Sequence, residues 1–208
     1  MNSETIPSRT HNLKILAVSD YMDKDLKQQI EDNQFPRMDL IISCGDLDPE
    51  YLTFLRHKLA CPLFYVKGNH DIRYTAANLV GCENIHGRVV SLGTLNIMGM
   101  GGSMWYNGGP NQYTEARMKK KLFWMGLRLW RKRPIHMMVT HAPPRHIHDR
   151  NDPCHMGFAS FRRFIAKHRP TYFIHGHIHQ EFDDFDSRVT QINTTQVINT
   201  CGHTIIEV

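Results

Sequence analysis

The pattern that most constrains this chain is a short, largely apolar run that stops at a polar residue, repeated five times. Leu13–Val18 (LKILAV) stops at Ser19-Asp20, and Asp39–Ser43 (DLIIS) stops at Cys44-Gly45-Asp46. Leu63–Val66 runs into Lys67-Gly68-Asn69-His70-Asp71, and Ile135–Thr140 runs into His141-Ala142-Pro143-Pro144. Thr171–His175 ends in Gly176-His177-Ile178-His179. Runs of this length without polar alternation suit strands buried on both faces. Asp23 reads as the N-cap of a helix to about Asn33, with Leu26 and Ile30 inward. Asp48-Pro49-Glu50 supplies the N-cap, first-turn proline and first-turn acid of a second helix, to about Ala60. Strand–helix–strand–helix–strand predicts a parallel sheet covered by helices on both faces. Ligands of such sheets gather outside the carboxyl ends of the strands, where these polar residues sit.

The middle of the chain changes texture. Arg88–Leu92 and Leu95–Met100 predict a hairpin around Gly93-Thr94, leading into a glycine-rich loop over 101–109. Thr114 caps a helix expected to reach about Arg131, and Pro134 stops it. The loop from Arg145 to His155 leaves the strand that delivers His141, and a helix from about Phe158 to His168 follows. The tail reads as short strands at Glu181–Phe185, Arg188–Asn193, Gln196–Thr200 and His203–Val208, expected to pair antiparallel.

The strand ends together offer Asp20, Asp46, Asn69, His70, His141, His177 and His179. Carboxylate and amide oxygens mixed with imidazoles, without thiolate, suit manganese, iron or zinc. That is more ligands than one ion needs, which points to two ions sharing a carboxylate. Two ions roughly 3.5–4 Å apart clamp a phosphate and generate a hydroxide nucleophile.

Gly45-Asp46, Gly68-Asn69-His70-Asp71, Thr140-His141 and Gly176-His177-Ile178-His179 resemble four of the five signatures of the calcineurin-like metallophosphoesterases, in that family's order. The resemblance covers the chain from about residue 14 to 208. It implies an α/β fold, a four-layer α/β/β/α sandwich of two mixed sheets flanked by helices, with a dinuclear site at the strand ends. Asp46 would bridge the ions, Asp20 and His179 would hold the first, and Asn69, His141 and His177 the second. His70 would sit beside the substrate as catalytic residue, donating to a phosphate oxygen or protonating the leaving oxygen. The departure lies in the first signature, Asp-x-His, where this chain has Asp20-Tyr21-Met22. A thioether is a poor ligand for manganese or ferric iron, so the first ion loses an imidazole. Asp23 stands near enough to substitute, but its role as a helix cap fits better. The implied activity is metal-dependent hydrolysis of a phosphomonoester or phosphodiester. The alternatives are a nuclease or cyclic-nucleotide phosphodiesterase, and a non-enzymatic nucleotide-binding regulator with a degraded metal site. Arg145 and Asn107 are the candidate substrate contacts.

Residues 13–208 are expected to form one domain behind a flexible segment, 1–12. The five cysteines form no C-x-x-C pair, and no apolar signal core or span of transmembrane length is present, so a cytoplasmic location is expected. The net charge of +5 is local. Eight Lys and Arg and no acid fall between Arg117 and Arg133, leaving the rest at −3. On that helix Met118, Leu122, Met125, Gly126 and Leu129 share one arc, widened by Phe123 and Trp130. Arg117, Lys120, Lys121, Arg128 and Arg131 share the other with Trp124. The expectation is an outer helix with a solvated basic face. Contact with nucleic acid through 117–133 is an alternative that is not favoured, beside an anionic membrane surface or another subunit.

Overall fold

The computed structural model describes residues 12–75, 77–128 and 134–208. In chain order the first elements are β1 (Lys14–Ser19), α1 (Lys24–Glu31), β2 (Leu40–Ser43), α2 (Pro49–Leu59), β3 (Leu63–Tyr65) and β4 (Cys82–Asn84). The hairpin β5 (Arg88–Leu92) and β6 (Leu95–Met100) and the short β7 (Ser103–Met104) and β8 (Gln112–Tyr113) precede α3 (Glu115–Arg128). Then come β9 (Met137–Thr140), α4 (Ala159–His168), β10 (Tyr172–His175), β11 (Val189–Ile192), β12 (Thr195–Asn199) and β13 (Gly202–Glu207).

Two mixed sheets result. One has the order β13-β1-β2-β3-β4, parallel except for β13, and the other has the order β11-β12-β10-β9-β6-β5, parallel except at the edges β11 and β5. Ile15, Ala17, Ile42 and Val66 of the first sheet meet Ile97, Val139, Ile174 and Ile198 of the second in a shared core. The outer face of the first sheet packs under Leu26 and Ile30 of α1 and Leu52 and Leu55 of α2. That of the second packs under Met118 and Met125 of α3 and Phe161 and Phe164 of α4. The strands are therefore buried on both faces, as their unbroken apolar runs require. The cover is a helix layer on one face and the other sheet on the opposite face. This corrects the expectation of one parallel sheet with helices on both sides and agrees with the four-layer α/β/β/α arrangement.

Other expectations also shift. Glu181–Phe185 forms no strand; β11 and β12 pair antiparallel as expected, while β12 also runs parallel to β10. β4 adds a fourth parallel strand that its half-exposed Cys-Glu-Asn sequence does not advertise. Thr114 Oγ1 accepts from the Arg117 N–H at 3.3 Å and starts α3 as expected. The expected residues 129–133 of that helix, Trp130 included, lie outside the described residues. Phe123 does not widen the buried arc; it stands 63% exposed. Asp48 stands at the N-cap of α2 as expected, but its carboxylate accepts from Arg73 at 2.6 Å and makes no side-chain cap hydrogen bond.

Asp23 does cap α1. Its Oδ1 accepts from the N–H groups of Asp25 and Leu26 at 2.9 and 3.0 Å, and its Oδ2 bonds His203 Nδ1 at 2.7 Å. Asp23→Ala is expected to lower stability in urea unfolding by about 1–2 kcal/mol and to leave metal stoichiometry unchanged. A lower stoichiometry would make Asp23 a ligand after all.

Candidate metal centre

The parallel strands of both sheets end at one edge, so five loops converge there. At the centre is His141, at the end of β9 and fully buried. Its Nδ1 donates to the Cys44 carbonyl oxygen at 2.8 Å, which fixes the ring and turns Nε2 into the site. Nε2 faces Asn69 Oδ1 at 3.1 Å and Asp46 Oδ2 at 3.2 Å. His177 lies against the same ring, with centroids 4.7 Å apart. Its Nε2 donates to the Cys154 carbonyl at 2.6 Å, which leaves Nδ1 as the free lone pair. Asp46, His141 and His177 each bring one ligand atom to within 4.8 Å of the others.

Electrostatics mark this as a place for positive charge. Burial opposes a proton on His141, yet the adjacent Asp46 carboxylate outweighs it and raises the imidazole to about 9. Burial likewise opposes the charge on Asp46, but His141 and the His70 N–H pull it down to about 2. His177 is pushed down to about 3 by burial and by the charge on His141, so it stays a neutral donor.

Backbone strain accompanies the ligands. Asp20, Asp46 and His177 adopt left-handed φ values of 71°, 57° and 70°. This conformation costs roughly 1–2 kcal/mol for a residue with a Cβ and clusters at functional sites. Neighbouring glycines permit the crowding. A Cβ at Gly68 would overlap the Asp46 carboxylate, and one at Gly176 would stand 2.6 Å from Ser19 Oγ.

The other predicted positions are looser. Asp20 Oδ1 accepts from the His177 N–H at 2.8 Å, and Oδ2 accepts from Ser19 Oγ at 2.7 Å. His179 Nε2 lies 3.7 Å from Asp20 Oδ1 on a side chain 68% exposed. His70 is exposed, and its N–H donates to Asp46 Oδ1 at 2.8 Å. A cleft of about 180 Å³ opens here, lined by Asp20, Tyr21, Met22, Asp46, His70 and Arg73 among others.

Arg145 and Asn107 are both engaged within their own loops. Arg145 spends its guanidinium on Asp149 at 2.6 Å, Asn151 at 3.1 Å and the Arg150 carbonyl at 3.3 Å, bracing its own loop. Asn107 Oδ1 accepts from the Gly109 N–H and from Gln112 Nε2 within the glycine-rich turn. Sequence reasoning missed Asp71, whose buried Oδ2 accepts from the N–H groups of Asp46 and Gly68 at 2.8 and 2.7 Å. Burial and the neighbouring Asp46 raise its carboxyl to about 6. It holds the ligand-bearing loops together and was legible only as the fourth residue of Gly-Asn-His-Asp. Tyr106, whose hydroxyl accepts from Asn69 Nδ2 at 3.3 Å, carries no sequence signal of its own.

The sequence matches the calcineurin-like phosphoesterase family over residues 13–181. The chain belongs to the calcineurin-like phosphoesterases. Among solved structures, protein TT1561 of Thermus thermophilus is similar with a TM-score of 0.61 at 19% identity, over 91% of this chain and 89% of that one. A putative 5'-nucleotidase from Staphylococcus aureus gives 0.56 at 16% identity, over 90% and 48%. The calcineurin-like phosphoesterase YfkN from Bacillus subtilis gives 0.51 at 14%, over 91% and 81%. At these identities the likeness shows the fold. No curated protein matches the sequence.

Calcineurin-like phosphoesterases bind divalent metals, and the donor set here suits one. Two oxygens and an imidazole lone pair converge, and each imidazole is fixed by a backbone carbonyl on its other nitrogen. Without a cation, the Asp46 carboxylate favours a proton on His141. Because the folded imidazole is raised to about 9, against 6.5 for an unperturbed imidazole, the stability it contributes is complete below pH 6.5 and is lost as pH rises through about 9. The melting temperature of metal-free protein is expected to fall across that window. With saturating Mn²⁺, which displaces the proton, that fall should be absent. A flat profile without metal would refute the His141–Asp46 pairing.

Proposed function

We propose that this chain is a metal-dependent phosphoesterase, hydrolysing a phosphomonoester or phosphodiester at a dinuclear site. The observation that carries the proposal is the His141 imidazole, clamped by the Cys44 carbonyl with its Nε2 aimed between Asp46 Oδ2 and Asn69 Oδ1. In this reading Asp46 would be shared by both metal positions, Asn69, His141 and His177 would help hold the second ion, and Asp20 and His179 the first. Manganese or iron suits these hard oxygen and imidazole donors, with zinc also compatible. Such ions supply Lewis-acid polarisation of a phosphoryl oxygen and of the attacking water.

The chain's own groups do the remaining work. His70 lines the cleft beside Asp46, anchored through its own N–H, and its exposed imidazole is free to turn towards substrate. There it donates to a phosphoryl oxygen or returns a proton to the leaving oxygen. A cleft of about 180 Å³ beside Asp46 and His70 suits a phosphoryl group of a nucleotide or another phosphate ester. A cytoplasmic setting suits five free cysteines.

Manganese-stimulated hydrolysis of bis-p-nitrophenyl phosphate or p-nitrophenyl phosphate tests the reading. Asp46→Ala and His141→Ala are expected to reduce it to background. His70→Gln is expected to lower kcat about a hundredfold or more while leaving metal stoichiometry intact. No turnover with any divalent metal, together with tight nucleotide binding, would favour a non-enzymatic regulator instead. The specific observation behind that second reading is Met22, a half-exposed thioether on the cleft wall, with His179 turned largely to solvent. Met22→His is accordingly expected to raise metal stoichiometry or turnover. Full occupancy of both positions in the parent protein would show that another group already serves there.

A further inference from the structure

Helix α3 carries apolar residues on both sides, although the core uses one. Met118, Leu122 and Met125 face inwards onto α4 and the second sheet. On the opposite side Phe123, Trp124 and Leu127 stand 63%, 56% and 58% exposed. At roughly 100° per residue these three fall within one arc, with Lys120 among them and Arg117 at its margin. The rings of Phe123 and Trp124 meet edge to face at 5.7 Å, so the pair forms one apolar ridge. The shallow groove beside the ridge is lined by Lys119, Arg163 and Lys167 together with Phe123 and Phe164. Glu115, the helix's one acid, is engaged by Arg163 at 2.6 Å, and no acid follows it up to Arg133.

The ridge faces away from the chemistry. Asn111, just before α3, donates to the Gly68 carbonyl at the metal-centre edge. From there the helix runs towards residues 134–136, which enter β9 at the end opposite His141. A substrate held on Trp124 would therefore lie at a distance from the cleft.

We propose that this face of α3 docks on an anionic phospholipid surface. Aromatic and aliphatic side chains flanked by Lys and Arg match the interfacial layer, where rings enter the acyl boundary and cations meet the headgroups. Nucleic acid suits the face less well. Leu127 offers no plane for a base to stack on, and the ridge projects from a convex helix instead of lining a channel. A twofold contact between copies is opposed by charge, because Lys120 and Arg117 would meet their own counterparts with no acid opposite.

The test uses the full chain and co-sedimentation with vesicles of phosphatidylcholine, with or without phosphatidylserine. The protein is expected to bind the phosphatidylserine vesicles selectively and to be released by salt. Phe123→Ser with Trp124→Ser should weaken partitioning at least about tenfold, as should Lys119→Glu with Lys120→Glu. Melting temperature and phosphoesterase activity should be unchanged in both variants, because all four side chains are remote from the metal centre. Absence of binding to anionic vesicles at low salt would overturn the proposal, as would variants that bind like the parent. So would a parent that ignores vesicles yet retains an oligonucleotide or dimerises through Phe123 and Trp124.

Discussion

One buried hydrogen bond, from His141 Nδ1 to the Cys44 carbonyl, holds the two halves of the molecule in the register that the site needs. Cys44 follows β2 in one sheet and His141 follows β9 in the other, so the bond crosses the sandwich at its open edge. It also decides which nitrogen of His141 faces Asp46 and Asn69. Both partners are fully buried, and losing one would strand the other without water to replace it. The Cys44 thiol contributes none of this. Burial pushes it up to about 12, and only the backbone of that residue prepares the site.

The edge is more heavily built on one side than on the other. Around His141 and His177 the carbonyls of Cys44 and Cys154 set both rings. Between Asp20 and His179 the separation is 3.7 Å, and a thioether borders the cleft. Under the proposed two-ion reading, affinity would be graded, tighter at the deeper position and weaker nearer solvent, and occupancy of the outer position would respond to metal supply.

Much of this was legible because buried strands leave a strong mark. The runs ending at Asp20, Asp46, Asn69, His141 and His177 could be read directly, since apolar continuity reports burial on both faces. What covers those faces could not be read. A sheet and a layer of helices exclude water equally well, so local pattern cannot choose between one sheet clothed in helices and two sheets back to back. Residues acting through geometry were hidden for a related reason. Asp71 matters because two backbone N–H groups from separate loops meet its carboxylate, and spacing along the chain carries no trace of that meeting. Arg145 shows the same limit from the other side: its pairing with Asp149, four residues on, is a loop contact that the charge alone does not announce. Phe123 misled because widening the apolar arc to include every nearby aromatic reaches residues that packing leaves on the open side of α3.

The left-handed backbone at Asp20, Asp46 and His177 bears on how such a centre would decay. Aspartate, asparagine, histidine and glycine tolerate that conformation better than other residues do. Chemistry and backbone therefore favour the same few side chains at these positions. A lineage that abandoned hydrolysis would still find most replacements there strained, and its loops would keep the outline of a metal site long after the ions were dispensable. Met22 is outside that restriction, since its φ is ordinary. The first letter to drift in a disused centre would be one like it, supported by ligation alone.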